Sequence, residues 1–187
     1  MRWSALPLKK SGAYEILAWR QYRRTCGGRS FTPAWFGQEK TMRIFTQKIT
    51  VGAQDIDIQN RVSNLCYVNW MQDLAIQHST AVGWGMERYE AVGQSWVVRQ
   101  HTITYKRPAF LGEVITAATW VASFAPRQSL RRYLFWRGAD QVVLAEAETN
   151  WVYIDLASGR PIRLPDEMRA AFEMVEDAGE VLRLLGA

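Results

Sequence analysis

Over residues 43–51 the side chains fall into two alternating sets, Ile44, Thr46 and Lys48 against Phe45, Gln47, Ile49 and Val51. That period of two predicts a half-buried strand. GAQDIDIQN follows and is turn-like. The pattern then changes period. From about Asn64 to Val82 an apolar stripe of Tyr67, Met71, Leu74, Ala75 and Val82 stands beside Leu65, Val68 and Ala81, with Asn69, Gln72, Asp73 and Gln77 on a polar side. This spacing predicts one amphipathic helix. WGMERYEAVG reads as a short turn and helix.

Four runs rich in β-branched and aromatic residues come next: SWVVRQHTITYKR, EVITAATWVASFA, SLRRYLFWRG and QVVLAEAETNWVYIDL. PRQ, GADQ and ASGRP mark turns among them. Long antiparallel strands joined by tight turns imply a strongly curved meander. LPDEMRAAFEMV closes the pattern as a helix, with Pro165 in its first turn and Asp166 and Glu167 near the positive end of its dipole. A single hydrophobic helix is buried best in the concave face of such a sheet. The expected class is therefore α+β, a curved antiparallel sheet wrapped around one central helix. Edge strands remain, so pairing with a second copy is expected.

Composition changes this picture mainly at the N-terminus. The 187 residues are 48% hydrophobic and 22% charged, ordinary for a globular chain, with nine tryptophans. The net charge of +5 invites a nucleic-acid or membrane reading. Residues 1–41, however, hold eight Lys/Arg and two Asp/Glu, leaving 15 and 16 for residues 42–187. The basicity belongs to an extension without sustained periodicity. That extension is expected to be poorly ordered or to lie upstream of a natural start at Met42. A transit peptide and a nucleic-acid-binding arm are the other readings. Residues 42–175 form the domain and 176–187 a C-terminal tail.

Two cysteines, Cys26 and Cys66, give neither a disulfide framework nor a metal-ligand spacing. No run approaches the ~18 apolar residues of a membrane helix. No charged head precedes an apolar stretch, so no secretory signal is expected and a reducing cytoplasm is the default. No cofactor is implied.

The stretch most informative about chemistry runs from Asp55 to Trp70. Asp57 lies seven residues before the helix start at Asn64. The first N–H groups of a helix have no internal partners, and with the dipole they favour developing negative charge. A carboxylate beside them makes a hydrolytic centre: it attacks a carbonyl or activates water, and the helix terminus stabilises the oxyanion. The ordinary alternative is that Asp57 caps a turn.

The same stretch resembles the active-site motif of hot-dog proteins of the 4-hydroxybenzoyl-CoA thioesterase-like and acyl-ACP thioesterase-like family. Asp55 and Asp57 fill its acidic pair, Val62 and Asn64 match its Val and second Asn, Tyr67 its Tyr and Trp70 the following aromatic. ITYKRPAFLGEVI and SGRPIRLPDEM resemble later family segments, so the likeness covers about residues 43–175. The resemblance implies a hot-dog fold and an acyl-CoA thioesterase. It implies Asp57 as the catalytic carboxylate and the Asn64 backbone N–H as the group polarising the thioester carbonyl. Gln59 takes the place of a substrate-positioning Asn, and Tyr67 joins the substrate-binding set. Arg61 replaces a His and Ser63 the first Asn. An Arg is no general base near neutral pH, so Asp57 must carry any chemistry and Arg61 can only orient or bind.

Lys106 and Arg107, at a strand end before Pro108, are candidates to meet coenzyme A phosphates. Arg127, Arg131 and Arg132 form a second such cluster, with solvated surface charge as the ordinary reading of both. His78 reads as packed on the helix, and His101 as structural or pocket-lining. The expected partners are an acyl-CoA or acyl-carrier thioester and a second copy of the chain, as a dimer or dimer of dimers, with neither nucleic acid nor a membrane span. Two rival classes remain: a non-catalytic acyl-CoA or acyl-carrier binding module, and a DNA-binding regulator, which needs a helix-turn-helix within residues 1–41.

Overall fold

The structure is a computed structural model and describes residues 43–185. The expectations for residues 1–41 and for a start at Met42 lie outside the described residues.

Strand β1 (Ile44–Thr50) leads through a 3₁₀ turn (Ala53–Asp55) and a hairpin into helix α1 (Asn64–Ala81). A short helix α2 (Met86–Val92) precedes strands β2 (Gln94–Tyr105), β3 (Val114–Ala125), β4 (Gln128–Arg137) and β5 (Val142–Asp155). Helices α3 (Asp166–Ala171) and α4 (Ala178–Leu185) close the chain. The five strands form one antiparallel sheet in the order β1-β3-β4-β5-β2. Only β3–β4–β5 is the expected meander. β2 does not pair with β3. It lies on the far side of β5, and residues 106–113 carry the chain back across to β3. Register shifts at Val98/Gln100, Val121/Ser123 and Phe135/Trp136 interrupt the ladders, and such bulges increase local twist and bend. This is the hot-dog arrangement.

Helix α1 begins where Ser63, in an extended conformation, accepts the Leu65 N–H on its hydroxyl. It ends where Gly83, at φ 81°, turns the chain left-handed and the Trp84 N–H reaches the Ser79 carbonyl. Its face of Tyr67, Trp70, Met71 and Leu74 is buried against Phe45, Ile49, Ile115 and Phe135. Ala117, Ala145 and Ala147 join that cluster. Their small side chains give the bulky helix face room to approach.

The outer face of the sheet divides in two. Ala118, Trp120, Ala122 and Leu134 make an apolar half, covered by Val175 and α4 through Val181, with Leu182 and Leu185 packed alongside. On β5 and β2 the outward positions are Glu146, Glu148, Thr102 and Thr104, facing water.

Two features depart from the sequence reading. The closing helix stops at Ala171, because Phe172 is buried in the inner cluster with Tyr153 and Met168 whereas Val175 belongs to the outer cluster. The chain must cross between the two faces. The Val175 N–H bonds the Val121 carbonyl beside the β3 bulge (3.0 Å). Segment 176–187, read as a tail, carries helix α4.

If α4 holds the outer face, its residues should differ sharply in cost. Val181 is fully buried and Leu184 is 68% exposed. Val181→Ala should cost about 2–3 kcal/mol, from two buried methyls and the space they leave. Leu184→Ala should stay within about 0.5 kcal/mol. Urea unfolding of the two variants checks this, and equal small effects would mean that α4 does not pack as described.

Candidate active site

The segment between Val51 and α1 is held by its own backbone. Asp55 is buried, and its Oδ2 accepts the Gly52 N–H (2.8 Å). Its carbonyl accepts the Ser63 N–H (2.8 Å), and the Cys66 thiol lies 3.6 Å from the same oxygen. Ile56 pairs with Val62 in an antiparallel bridge. Beyond it the chain makes a tight turn, with Asp57 N–H to Arg61 O at 2.8 Å and Asn60 N–H to Asp57 O at 3.0 Å. Asn60 sits at φ 59°, a left-handed position that Asn tolerates better than most residues. Val62 donates to the Ala109 carbonyl (2.9 Å), tying the hairpin to the loop that returns from β2.

Asp57 is half-buried at the base of this hairpin. Its Oδ1 accepts the Gln59 N–H at 2.8 Å, with the Arg61 N–H at a long 3.5 Å. Oδ2 makes no hydrogen bond among the described residues. The turn-capping reading is thus fulfilled by one oxygen and leaves the other available. At the helix start, Ser63 donates to Asp55, Leu65 to the Ser63 hydroxyl and Cys66 to the Ser63 carbonyl. The Asn64 N–H has no acceptor among the described residues, and Asn64 is exposed. The hairpin therefore brings a carboxylate oxygen and an open helix-terminal N–H to one end of the domain.

The other candidate residues fall around this point. Gln59 and Arg61 are exposed on the hairpin. Lys106 and Arg107 lead into the loop that accepts from Val62, and both backbone N–H groups bond Leu144 O (2.8 and 3.1 Å). The Lys106 ammonium pairs with Glu146 at 2.6 Å. Tyr67 lies one turn into the helix but is buried, packed edge-on against Trp70, Tyr105 and Phe135. Burial first, then the neighbouring Tyr105, pushes its phenol up to about 12.

Two residues missed by the sequence reading serve this end of the molecule. The Tyr105 hydroxyl donates to the Asn64 carbonyl (3.2 Å), fastening the end of β2 to the helix start. Arg137 donates to Glu113 at 2.7 Å and to the Pro108 carbonyl at 3.3 Å, and Glu113 accepts the Phe110 N–H at 3.0 Å. That clamp fixes the 106–113 loop. Its ion pairs with Asp140 and then Glu113 raise the guanidinium pKa further.

Arg131 corrects the sequence reading. It is no surface charge but is buried on the inner face of the sheet, donating to His78 Nδ1 (2.8 Å) and Thr119 Oγ1 (3.3 Å). Arg132, one residue on, points outward to Glu148. His101 is half-buried on β2, with Nδ1 2.7 Å from Thr149 Oγ1. An open cleft of about 840 Å³, lined by Lys48, Glu113, Trp136, Arg137 and Leu184 among others, borders that clamp and holds none of the candidate site residues.

A family model described as the acyl-ACP thioesterase N-terminal domain matches residues 42–172. The chain belongs to the acyl-ACP thioesterase family. The palmitoyl-acyl carrier protein thioesterase of Gossypium hirsutum is 22% identical over 156 residues, covering 75% of this chain and 38% of its own length. This chain therefore spans well under half of that plant relative. The long-chain acyl-CoA thioesterase FadM of Escherichia coli is 22% identical over 131 residues, 68% of this chain and 96% of its own. Among solved structures, a putative oleoyl thioesterase from Lactobacillus plantarum superposes with a TM-score of 0.66 at 21% identity, over 72% of this chain and 53% of that one. At that identity the superposition speaks for the fold.

Within this acyl-ACP thioesterase domain His101 gives a test of the inner face. Burial lowers its pKa below the ordinary imidazole value. As pH falls below about 6.5 the unfolded chain takes up the proton first, so this contribution is complete above that pH and is lost on going below it. The urea midpoint of the wild type should therefore fall between about pH 7.5 and pH 5 by more than that of His101→Gln. Parallel pH profiles for the two proteins would show His101 to be solvated as in the unfolded chain.

Proposed function

We propose that this domain hydrolyses acyl thioesters, of coenzyme A or of an acyl carrier, to the free acid and thiol. The observation that carries the reading is an Asp57 whose Oδ2 makes no hydrogen bond among the described residues, followed seven residues later by a helix start whose Asn64 N–H has no acceptor among them, in a chain of the acyl-ACP thioesterase family. The thioester carbonyl oxygen accepts the Asn64 N–H, which draws charge from the carbonyl carbon. In one route Asp57 Oδ2 bonds to that carbon, the C–S bond breaks with its electron pair going to the thiolate, and water then cleaves the mixed anhydride. In the other, Asp57 takes a proton from water as that water bonds to the carbon, the C–S bond breaks with its electron pair leaving on the thiolate, and the thiolate takes up the proton that Asp57 holds. Arg61, Lys106 and Arg107 supply positive charge for ligand phosphates, Gln59 orients the substrate, and the buried Tyr67 supports the wall behind them.

Assembly belongs to this proposal. β2 is a twelve-residue edge strand, and its inward residues Trp96, Val98, His101 and Ile103 are only half-buried. A second copy meeting that edge covers them and places Asp57 near the interface between subunits. A reducing cytoplasm suits this reading.

The second reading, a non-catalytic acyl-thioester binding module, draws on the hydrogen bond that ties Asp57 Oδ1 into its own turn and on Arg61 in place of the His of the resembled motif.

Thiol release across acyl-CoA and acyl-carrier substrates separates the two. Asp57→Asn keeps the turn but has neither a nucleophile nor a base at neutral pH. It should fold normally and lose about 100-fold or more in kcat/KM. Arg61→Ala should raise KM more than it lowers kcat. Near-full turnover by Asp57→Asn would move the chemistry elsewhere. Binding without thiol release by the wild type would favour the binding module, and an active monomer on sedimentation would remove the shared site.

A further inference from the structure

The inner face of the sheet carries a row of hydrogen-bond donors that the hydrolytic site does not use. Antiparallel register sets Arg131 of β4 opposite Thr149 of β5, and Thr149 opposite His101 of β2. On the same face Tyr133, opposite Ala147, and Trp151, opposite Ser129, flank the Arg131–Thr149 pair on either side. Tyr133, Thr149 and Arg131 are all buried, and Trp151 and His101 half-buried.

The polar groups in this row do not balance. Arg131 makes both of its hydrogen bonds through Nη1, to His78 and Thr119, and Nε and Nη2 make none among the described residues. Among the described residues the ionisable groups that bear most on it are Tyr133 and Tyr89, neither of them a carboxylate, and its guanidinium lies 5.7 Å from the Phe172 ring centre. Tyr133 Oη and Trp151 Nε1 are buried and make no hydrogen bond of ordinary geometry among the described residues. Thr149 and Trp151 stand close enough to the Tyr133 hydroxyl to lower its pKa, as does Arg131, against a larger rise from burial. A guanidinium and an indole only donate. The missing component is therefore an acceptor. Water would satisfy the donors yet leave a buried positive charge uncompensated. An anionic oxygen does both, and a carboxylate has two oxygens to match the planar guanidinium.

The row also borders the part of the sheet nearest the site. Helix α1 packs on β1 and β3, so the inward residues of β2 line a strip that the helix leaves uncovered. Tyr105, at one end of that strip, bonds the Asn64 carbonyl. His101 is four residues back along β2, about 13 Å at the usual strand rise.

We propose that Arg131, Tyr133 and Trp151, with Thr149 and His101 at their side, bind a carboxylate carried on the acyl group remote from the thioester. The substrate class is then a dicarboxylic acid thioesterified at one end. The location at the acyl end rests on the thioesterase reading above; the donor site itself does not.

The test measures binding to the Asp57→Asn chain, which suppresses turnover. The probes are mono-CoA thioesters of octanedioic to tetradecanedioic acid, each paired with the simple acyl-CoA of equal length. Calorimetry should find one length at which the dicarboxylic thioester binds about tenfold tighter or more than its partner. Adding Tyr133→Phe or Trp151→Phe should reduce that preference several-fold, and Arg131→Met should abolish it, while affinity for the simple acyl-CoA stays within about twofold. The two aromatic variants keep the test decisive if Arg131→Met does not fold. Equal affinities at every length would overturn the proposal, as would a preference unmoved by the substitutions. Selective binding by this chain together with no thiol release by the wild type would leave the donor site standing and remove the hydrolytic reading.

Discussion

The hydrogen bond from the Val62 N–H to the Ala109 carbonyl, 2.9 Å long, joins the three segments on which the site depends. Val62 is the last residue of the hairpin bridge, two before the helix start, and Ala109 lies in the loop returning from the edge strand. Because β2 sits at the far side of the sheet, that loop has to cross the end of the domain, and it crosses beneath the hairpin. Ser63 to Asp55 holds the other flank of the hairpin, and Arg137 with Glu113 holds the loop. Asp57 and Asn64 lie seven residues apart in a segment whose two flanks are both fixed. A helix terminus leaves N–H groups without partners in any case. Here Ser63 and Asp55 engage the neighbouring N–H groups, and the Asn64 N–H has no acceptor among the described residues.

Packing follows from one helix lying in one sheet. The small Ala117, Ala145 and Ala147 let α1 approach β3 and β5, and the helix stays over the β1 and β3 side. Its apolar area supplies much of the drive to fold, at roughly 25 cal/mol per Å² of apolar surface removed from water. The consequence of that placement is an inner strip on β2 whose residues Trp96, Val98, His101 and Ile103 are only half-buried. Outside, α4 takes the apolar half of the sheet and leaves the charged half to solvent.

Much of the fold could be read from local patterns. The stripe of Tyr67, Met71 and Leu74 located α1 to within a residue at either end. The β-branched runs located all five strands closely. What stayed hidden was set by distant contacts. Pairing of β2 with β5 instead of β3 leaves no mark in either strand. The end of α3 at Ala171 is dictated by Phe172 and Val175 lying on opposite faces of the sheet. Arg131 is the instructive case. Its charge and its neighbour Arg132 suggested the surface, whereas its parity with Tyr133 and Phe135 along β4 already placed it inside. At the site, the spacing of Asp57 from Asn64 was visible in the sequence. The division of labour between the two carboxylate oxygens was not, because it depends on the Gln59 N–H of a turn whose shape Asn60 sets.

The claim at the centre of this account is that a thioester carbonyl docks on the Asn64 N–H beside Asp57. Amide resonances of the ¹⁵N-labelled Asp57→Asn chain, followed during titration with an acyl-CoA, test it directly. The account predicts that the Asn64 amide proton moves strongly downfield as it gains an acceptor, with smaller shifts across residues 57–63. An unmoved Asn64 amide in a chain saturated with ligand, with the large shifts at another end of the domain, would contradict it.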